Sequence, residues 1–127
     1  MTHLEIKNEK LLKILIEIHK WEQDQLYHFK NKAAREIYFN IAEDLLRNNH
    51  GARSIKQQIH SRKHSERAAR SNVRKLEQGG ILRSEKNSCD ARLKRIIPTE
   101  AYIKKLNDHL RTLQSICSKY YFMIEID

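Results

Sequence analysis

The stretch that decides the fold is residues 65–100, which read SERAARSNVRKLEQGGILRSEKNSCDARLKRIIPTE. Ser65 is a residue type that caps helix starts, so it marks the beginning of a helix that extends to Gln78. Gly79 and Gly80 follow at once, and glycine supplies the left-handed backbone with which helices commonly end. The opening half of the stretch therefore predicts one helix of about four turns.

The closing half of the same stretch predicts a two-stranded ribbon. Residues 81–85 and 92–97 are short runs with strand-forming content, and the polar residues 86–91 between them suit the turn of a β-hairpin. Pro98 ends the second run, and Thr99 can cap a further helix. The predicted order is helix, hairpin and helix.

The helix over residues 65–78 has two chemically distinct sides. Ala69, Val73 and Leu76 share one side, which predicts that this side is buried. A solvated helix face usually alternates in charge, whereas here only Glu66 and Glu77 interrupt the basic residues at the ends. Arginine carries a planar fork that pairs with guanine or clamps phosphate, so the outward side suits a helix lying in the DNA major groove. That outward side consists of Arg67, Arg70, Ser71 and Arg74.

A shorter helix is predicted just before this one. Ser54 and Gln57 form a candidate capping box, and Ile55 and Ile59 lie one turn apart on a common face. A short helix, a turn and a second helix are the layout of a helix-turn-helix, and the ribbon behind it makes a winged helix. The chain has only three glycines and one proline, which counts against a many-stranded sandwich or barrel. The predicted fold class is mainly α, a winged helix-turn-helix with a two-stranded β wing.

The charge of the chain is confined to this central region. Residues 51–97 hold thirteen basic and four acidic side chains, whereas residues 1–50 and 98–127 are balanced, so the whole net charge of +9 lies in the middle. Such confinement predicts one cationic face for a phosphate backbone or, less often, an anionic membrane surface; a merely soluble basic surface is the alternative. Candidate phosphate contacts outside the outward helix side are Lys56, Arg62, Lys63, Lys94 and Arg95, with Arg92 at the predicted wing tip.

Long amphipathic helices are predicted at both ends, over residues 1–24 and 99–127. The first has apolar residues from Leu4 to Trp21 at helical spacing, and the second carries a heptad seam that begins at Ile103 and includes Cys117. The seam fits either a homodimer or a helix that lies on its own core, and the surplus apolar surface of the first helix favours the dimer. The predicted dimer residues are Leu11, Leu15, Ile18, Leu106, Leu110, Leu113, Tyr120 and Ile124.

Residues 65–100 resemble the MarR-type winged-helix transcriptional regulators. The family's recognition helix ends in Leu-Glu-x-x-Gly and a hydrophobic pair, its wing tip carries Asp-x-Arg, and a Thr-Glu helix start follows the wing. The matching residues are Leu76, Glu77, Gly80, Ile81 and Leu82, then Asp90 and Arg92, then Thr99 and Glu100. Asn72, Arg62, Lys63 and Tyr102 depart from the family's usual aliphatic, Leu-Gly and Gly residues.

The resemblance implies a homodimer formed by the terminal helices, with Asp90 bracing Arg92 in the minor groove. It also implies that a small aromatic effector binds between the dimer and DNA-binding parts. An aromatic cluster lies at that junction, although core packing explains these residues as well. The cluster consists of Trp21, Tyr27, Phe29, Tyr38 and Phe39.

Other chemistry is weakly signalled. His60 and His64 have the spacing of a metal pair, but the predicted turn falls between them, so neither a metal nor a cofactor is expected. Cys89 at the predicted wing tip is either an oxidation sensor or a spectator thiol. No nucleophile elbow, phosphate-cradling glycine loop or paired-carboxylate motif occurs, so an enzyme is not expected.

These patterns together predict one domain over residues 1–127, with the winged helix-turn-helix over residues 30–98. The charged residues that interrupt the N-terminal apolar run exclude a signal peptide or membrane span there, so a cytoplasmic protein is expected. The leading hypothesis is a dimeric, sequence-specific regulator of transcription that binds double-stranded DNA. The alternative is a winged-helix scaffold that binds protein or RNA.

Overall fold

The computed structural model describes residues 4, 8–47, 66–86 and 94–121 of the chain. Four helices and two strands follow one another within these ranges, together with a short 3-10 turn at Tyr27–Phe29. They are α1 (Glu9–Gln25), α2 (Lys32–Leu46), α3 (Glu66–Gln78), β1 (Leu82–Lys86), β2 (Lys94–Pro98) and α4 (Glu100–Tyr120). The mainly helical fold with a two-stranded ribbon that the sequence predicts is confirmed, whereas the helix predicted near Ser54 lies outside the described residues.

Polar side chains define where three of the helices begin. The Asn8 Oδ1 atom accepts a hydrogen bond from the Leu11 backbone N–H at 3.2 Å, so α1 begins at Glu9 and not near Leu4 as the apolar spacing predicts. Asn31 caps α2 in the same way, and Thr99 caps α4 as predicted. The Thr99 hydroxyl also donates to the carbonyls of Gly80 and Ile81, which ties the start of α4 to the end of α3.

The end of α3 follows from the backbone freedom of Gly80, as the sequence predicts. Gly80 has a φ of 75°, in the left-handed region that side chains with a Cβ disfavour. The Gly80 N–H donates to the Glu77 carbonyl, and the Ile81 N–H donates to the Leu76 carbonyl, each at 3.0 Å. These two bonds satisfy carbonyls that the helix end would otherwise leave unpaired, which is the Schellman arrangement.

The two strands form an antiparallel ribbon whose register runs from Leu82 opposite Pro98 to Lys86 opposite Lys94. The first strand begins one residue later than predicted because the Ile81 N–H is already used in the end of α3. The second strand is described over Lys94–Pro98, and its predicted start at residue 92 lies outside the described residues. Proline has no N–H to donate, so it suits the last position of a strand.

The hydrophobic core lies between α2, α3, the ribbon and the start of α4. Ala69, Val73 and Leu76 are buried in α3, as predicted from their spacing. Burial of side chains of this size is the main favourable contribution to folding, about 1.5–3 kcal/mol for each Leu or Val. The buried cluster comprises Leu26, Phe29, Ala34, Ile37, Tyr38, Ile41, Val73, Leu76, Ile81, Leu82, Ile96 and Tyr102.

Helix α4 packs against α1 of the same chain through a face that the heptad pattern does not indicate. Its buried residues are Tyr102, His109 and Ile116, spaced seven apart. Leu110 and Leu113 of the predicted seam are instead 55% and 38% exposed. These two leucines therefore do not lie on the core of their own chain, and the favoured dimer contact of the seam stays a prediction.

Candidate nucleic-acid interface

The outward side of α3 gathers the four residues predicted to contact the major groove. Arg67, Arg70, Ser71 and Arg74 together line an open hollow of about 660 Å³, and we call these four residues the cationic face. The three arginine side chains are exposed, and Ser71 is half-buried. An arginine guanidinium stays protonated at any physiological pH, so the face carries a permanent positive charge.

The helix presents this face because its opposite side is held by the core. Val73 and Leu76 are 3% and 2% exposed, and α3 packs against α2 and β1. The Ser84 hydroxyl of β1 donates to the carboxylate of Glu77, near the end of α3, at 2.6 Å. This hydrogen bond links the helix to the wing.

In the described part of the wing, two of the basic side chains are paired with a glutamate. Glu85 forms ion pairs with Arg83 and with Arg95, the latter at 3.8 Å between Nη2 and Oε2. Arg95 is half-buried, and its Nε atom is buried without a hydrogen-bond partner. The sequence analysis did not single out Arg83. Its position in β1, two residues before Glu85, could have indicated that the two side chains pair.

Several predicted contacts lie outside the described residues, or their side chains do. The backbone of Lys94 belongs to β2, but its side chain is not described. His60 and His64, whose spacing resembles that of a metal pair, and Cys89 also lie outside the described residues. The predicted DNA and dimer residues outside the described ranges are Lys56, Arg62, Lys63, Asp90, Arg92 and Ile124.

A buried polar cluster joins α1, α2 and α4 on the other side of the core. The Tyr38 hydroxyl lies 2.7 Å from His109 Nδ1, and His109 Nε2 lies 3.0 Å from Glu22 Oε2. The arrangement is satisfied when the phenol donates to Nδ1 and the Nε2–H donates to the carboxylate. The other Glu22 oxygen accepts from Arg35 at 3.2 Å, and the Tyr102 hydroxyl donates to the Tyr38 carbonyl at 2.7 Å.

We call Glu22, Tyr38, Tyr102 and His109 the polar cluster. Desolvation by burial raises the pKa of both tyrosine hydroxyls well above the ordinary value, so they remain protonated donors. The Trp21 ring stacks on His109 with 4.9 Å between ring centres. Sequence analysis missed His109 because a histidine does not enter an apolar count, although its seven-residue spacing from Tyr102 and Ile116 could have indicated it.

The five aromatic residues of the predicted cluster divide between core and surface. Phe29 and Tyr38 are fully buried, Trp21 packs partly against the core, and Tyr27 and Phe39 are 63% and 48% exposed. Core packing thus accounts for Phe29 and Tyr38. A cavity of about 600 Å³ does lie between α1, the 3-10 turn and α2, and of the five only Phe29 lines it; its other lining residues are His19, Glu22, Gln23, Leu26, Lys30 and Arg35.

The predicted dimer residues also divide. Leu11 and Leu15 are exposed, as are Leu110 and Leu113 of α4, while Ile18 is half-buried. Leu106 packs against the core of its own chain. Tyr120 contacts the same chain as well, since its hydroxyl donates to Glu17 of α1.

Comparison with known proteins agrees with the fold. No protein-family model matches the sequence, and no curated protein matches it. Among solved structures, the heme sensor PefR from Streptococcus agalactiae, in complex with heme, superposes with a TM-score of 0.56 at 16% identity, over 96% of this chain and 83% of PefR. The transcriptional regulator Tm0710 from Thermotoga maritima gives 0.56 at 17% identity, over 87% of this chain and 75% of Tm0710.

A third similar structure is the organohalide-sensing transcriptional regulator RdhR-CbdbA1625 in its 2,4-dichlorophenol-bound form. It gives a TM-score of 0.53 at 12% identity, over 98% of this chain and 79% of that regulator. The chain has a MarR-type winged-helix fold. In that fold, α3 is the second helix of the helix-turn-helix layout and β1–β2 is the wing.

Two further observations concern the described residues. None of their helices is both long enough and apolar enough to cross a membrane. No three of their His, Cys, Asp and Glu side chains lie together in a group that could hold a metal ion.

Proposed function

We propose that this protein is a dimeric regulator of transcription that binds specific sequences in double-stranded DNA, with α3 in the major groove and the wing at the adjacent minor groove. The observation that carries the proposal is the cationic face, three arginines gathered on the outward side of a helix whose inward side is core. Arg67 and Arg74 are seven residues apart, about 10 Å along the helix, which spans about three base pairs.

The residues of the interface have different expected roles. Arginine forks on the cationic face read base edges or brace phosphates, and each bidentate base contact discriminates by about 1–3 kcal/mol. Arg92, braced by Asp90, anchors the wing in the minor groove, whose negative potential attracts arginine. Phosphate contacts that add affinity but little specificity come from Lys56, Arg62, Lys63, Lys94 and Arg95. Arg95 also pairs with Glu85, which should weaken its contact with phosphate.

A second copy of the chain is the proposed partner of the terminal helices. Its support is the set of large apolar side chains that α1 and α4 leave exposed, Leu11, Leu12, Leu15, Ile16, Leu110 and Leu113. Burial of such surface is the usual driving force for association. A twofold dimer would present two copies of α3 to successive major grooves, about 34 Å apart.

A small-molecule effector is part of the same proposal. The similar structures include one in complex with heme and one bound to 2,4-dichlorophenol. In this chain the cavity between α1 and α2 is lined by His19, Lys30 and Arg35 as well as by Phe29. The Glu22 carboxylate, which pairs with Arg35, also lines this cavity, so its lining does not select the charge of the effector.

Selection of bound fragments from random-sequence DNA tests the proposal. The expected result is an enriched inverted repeat whose half-sites are about 10 base pairs apart, because a twofold dimer reads both strands alike. Enrichment without an inverted repeat would contradict the dimer but not DNA reading. Failure to enrich any sequence would contradict sequence-specific binding and favour the scaffold alternative.

A further inference from the structure

We propose that Asn31 and Asn72 are positioning residues that fix the rotation of α3 against α2, and thereby the direction of the cationic face. This inference rests on the proposed function and assigns a specificity role to two residues outside the cationic face. It is carried by a hydrogen-bonded connection between the start of α2 and the middle of α3. Asn31 and Asn72 are 41 positions apart in the sequence.

The connection is a relay of three hydrogen bonds with one consistent direction. The Ala34 N–H donates to Asn31 Oδ1 at 2.8 Å, and Asn31 Nδ2 donates to Asn72 Oδ1 at 2.9 Å. Asn72 Nδ2 then donates to the Ala68 carbonyl at 2.7 Å, one turn earlier in α3. Because each amide uses its oxygen on one side and its nitrogen on the other, turning either amide over would break both of that residue's bonds.

The relay adds a directional contact to the packing that holds α3 on the core. Apolar contact is not directional, and the buried Ala34 of α2 and Ala69 of α3 have small side chains. Asn72 follows Arg70 by two positions and precedes Arg74 by two, at the border of the buried side of α3. A hydrogen bond at this border resists rotation of the helix in a way that buried methyl groups do not.

The size of the effect follows from the geometry of a helix. A rotation of α3 by about 20° would move side chains at a radius of about 6 Å by about 2 Å. Base readout requires donor and acceptor atoms within about 3.2 Å, so a shift of that size abolishes it. Phosphate attraction falls off far more gradually with distance. Loss of the relay should therefore reduce the preference for the selected sequence and leave binding to random DNA almost unchanged.

The test compares Asn31→Ser, Asn72→Leu and the double variant. Serine at position 31 keeps a helix-capping oxygen but has no nitrogen to donate to Asn72. Leucine at position 72 removes both bonds and is the type of residue found in the resembling family. The measured quantity is the ratio of the Kd for random duplex to the Kd for the selected duplex at one salt concentration, with the active fraction titrated for each protein.

Each single variant is expected to lower this ratio by about tenfold, and the double variant to lower it no further, because both act on one connection. Asn8→Ser is the matched control, since it alters the cap of α1 in the same way and the Asn8 side chain contacts α1 and Tyr121 rather than α3. It should leave the ratio unchanged. Asn72→Ser replaces Asn72→Leu if the leucine variant does not fold.

Two results would overturn the inference. Unchanged ratios in both single variants would show that the relay does not position α3 for readout, as would losses that multiply in the double variant. A purely structural role would lower the melting temperature and the active fraction while the ratio stays constant. If the wild-type protein itself shows no preference between the two duplexes, the proposed function fails and this inference fails with it.

Discussion

The cationic face of α3 exposes its polar groups to solvent, whereas the polar cluster between α1, α2 and α4 buries most of its polar groups in the protein. On α3 the apolar residues face inward and the arginines face solvent, so the charges contribute little to folding. In the polar cluster, Tyr38, Tyr102 and His109 are buried and paired with one another or with Glu22. The difference predicts that substitutions in the polar cluster change stability and that substitutions on the cationic face change DNA binding.

The largest expected loss of stability comes from His109→Leu. The substitution leaves the Tyr38 hydroxyl without an acceptor and deprives Glu22 of one of its two partners. Leaving buried polar groups unpaired should lower the free energy of unfolding by about 2–4 kcal/mol, measured by urea denaturation. His19→Leu is the matched control on the exposed surface of α1 and should change it by less than about 0.5 kcal/mol. Equal effects at both positions would refute the assignment of stability to the cluster.

Arg70→Ala is expected to change DNA binding and to leave stability almost unchanged. Its stability should stay within about 0.5 kcal/mol of wild type. Discrimination between the selected and random duplexes should fall by about 1–3 kcal/mol if the contact is bidentate to a base. Paired binding titrations on the two duplexes measure this. An equal loss on both would show that Arg70 contacts only phosphate.

A smaller loss of stability is expected at the end of α3, where the backbone conformation of Gly80 determines how the helix ends. Gly80→Ala places a Cβ on a residue with a φ of 75°, where nothing lies within 4 Å of it, so the cost is backbone strain alone. We expect a loss of about 1 kcal/mol in the free energy of unfolding. Gly79→Ala is the comparison, because its φ is not left-handed and its Cβ would meet His28 Cε1 at 3.4 Å. A larger loss at Gly79 than at Gly80 would contradict the Schellman interpretation.

The smallest effect concerns the exposed contact between α1 and α4 near Glu17. Hydrogen bonds from Tyr120 and Lys119 lower the pKa of the Glu17 carboxyl below its ordinary value of 4.5. A lowered pKa stabilises the folded state above pH 4.5, and that contribution is lost as the pH falls through the folded value. The hydrogen bond with Glu17 raises the pKa of Tyr120 and of Lys119, so their contribution is present below pH 10 and is lost as the pH rises further.

Thermal denaturation of wild type and Glu17→Gln across this pH range measures the contribution. The difference in melting temperature should be greatest between about pH 5 and pH 9 and should shrink on either side. It should also decrease at high salt, because the ion pair is exposed. A difference that does not change with pH would show that Glu17 contributes through packing and not through charge.

The difference between the cationic face and the polar cluster also explains which features the sequence could predict. Helix α3 follows a simple division of apolar and basic residues, so its buried side and its outward arginines are predicted from spacing. Its end at Gln78 is predicted from the two glycines that follow. Helix α4 buries Tyr102 and His109, and a count of apolar residues instead selects Leu110 and Leu113, which are exposed. A polar side chain in a core is stabilised by partners that are distant in sequence, such as Tyr38 and Glu22, and spacing within one helix carries no information on them.

Two other features, the ion pairs of the wing and the relay between α2 and α3, also depend on contacts that the spacing of apolar residues does not indicate. Glu85 of the wing pairs with Arg83 and Arg95, and the pair with Arg95 depends on the register of the ribbon. The relay from Asn31 to Asn72 joins two helices, and only the resemblance signalled Asn72, as a departure from an aliphatic residue. The roles of the cationic face and of the exposed leucines remain predictions, which the binding experiments test.

The salt dependence of binding to the selected duplex tests the central claim most directly, since the claim is that a cationic helix face and wing bind the DNA backbone. With about six to ten phosphate contacts, affinity should fall by about 10³ to 10⁵ between 50 and 200 mM salt. An affinity that changes by less than about tenfold over this range would show that the arginines of α3 do not bind DNA in this way.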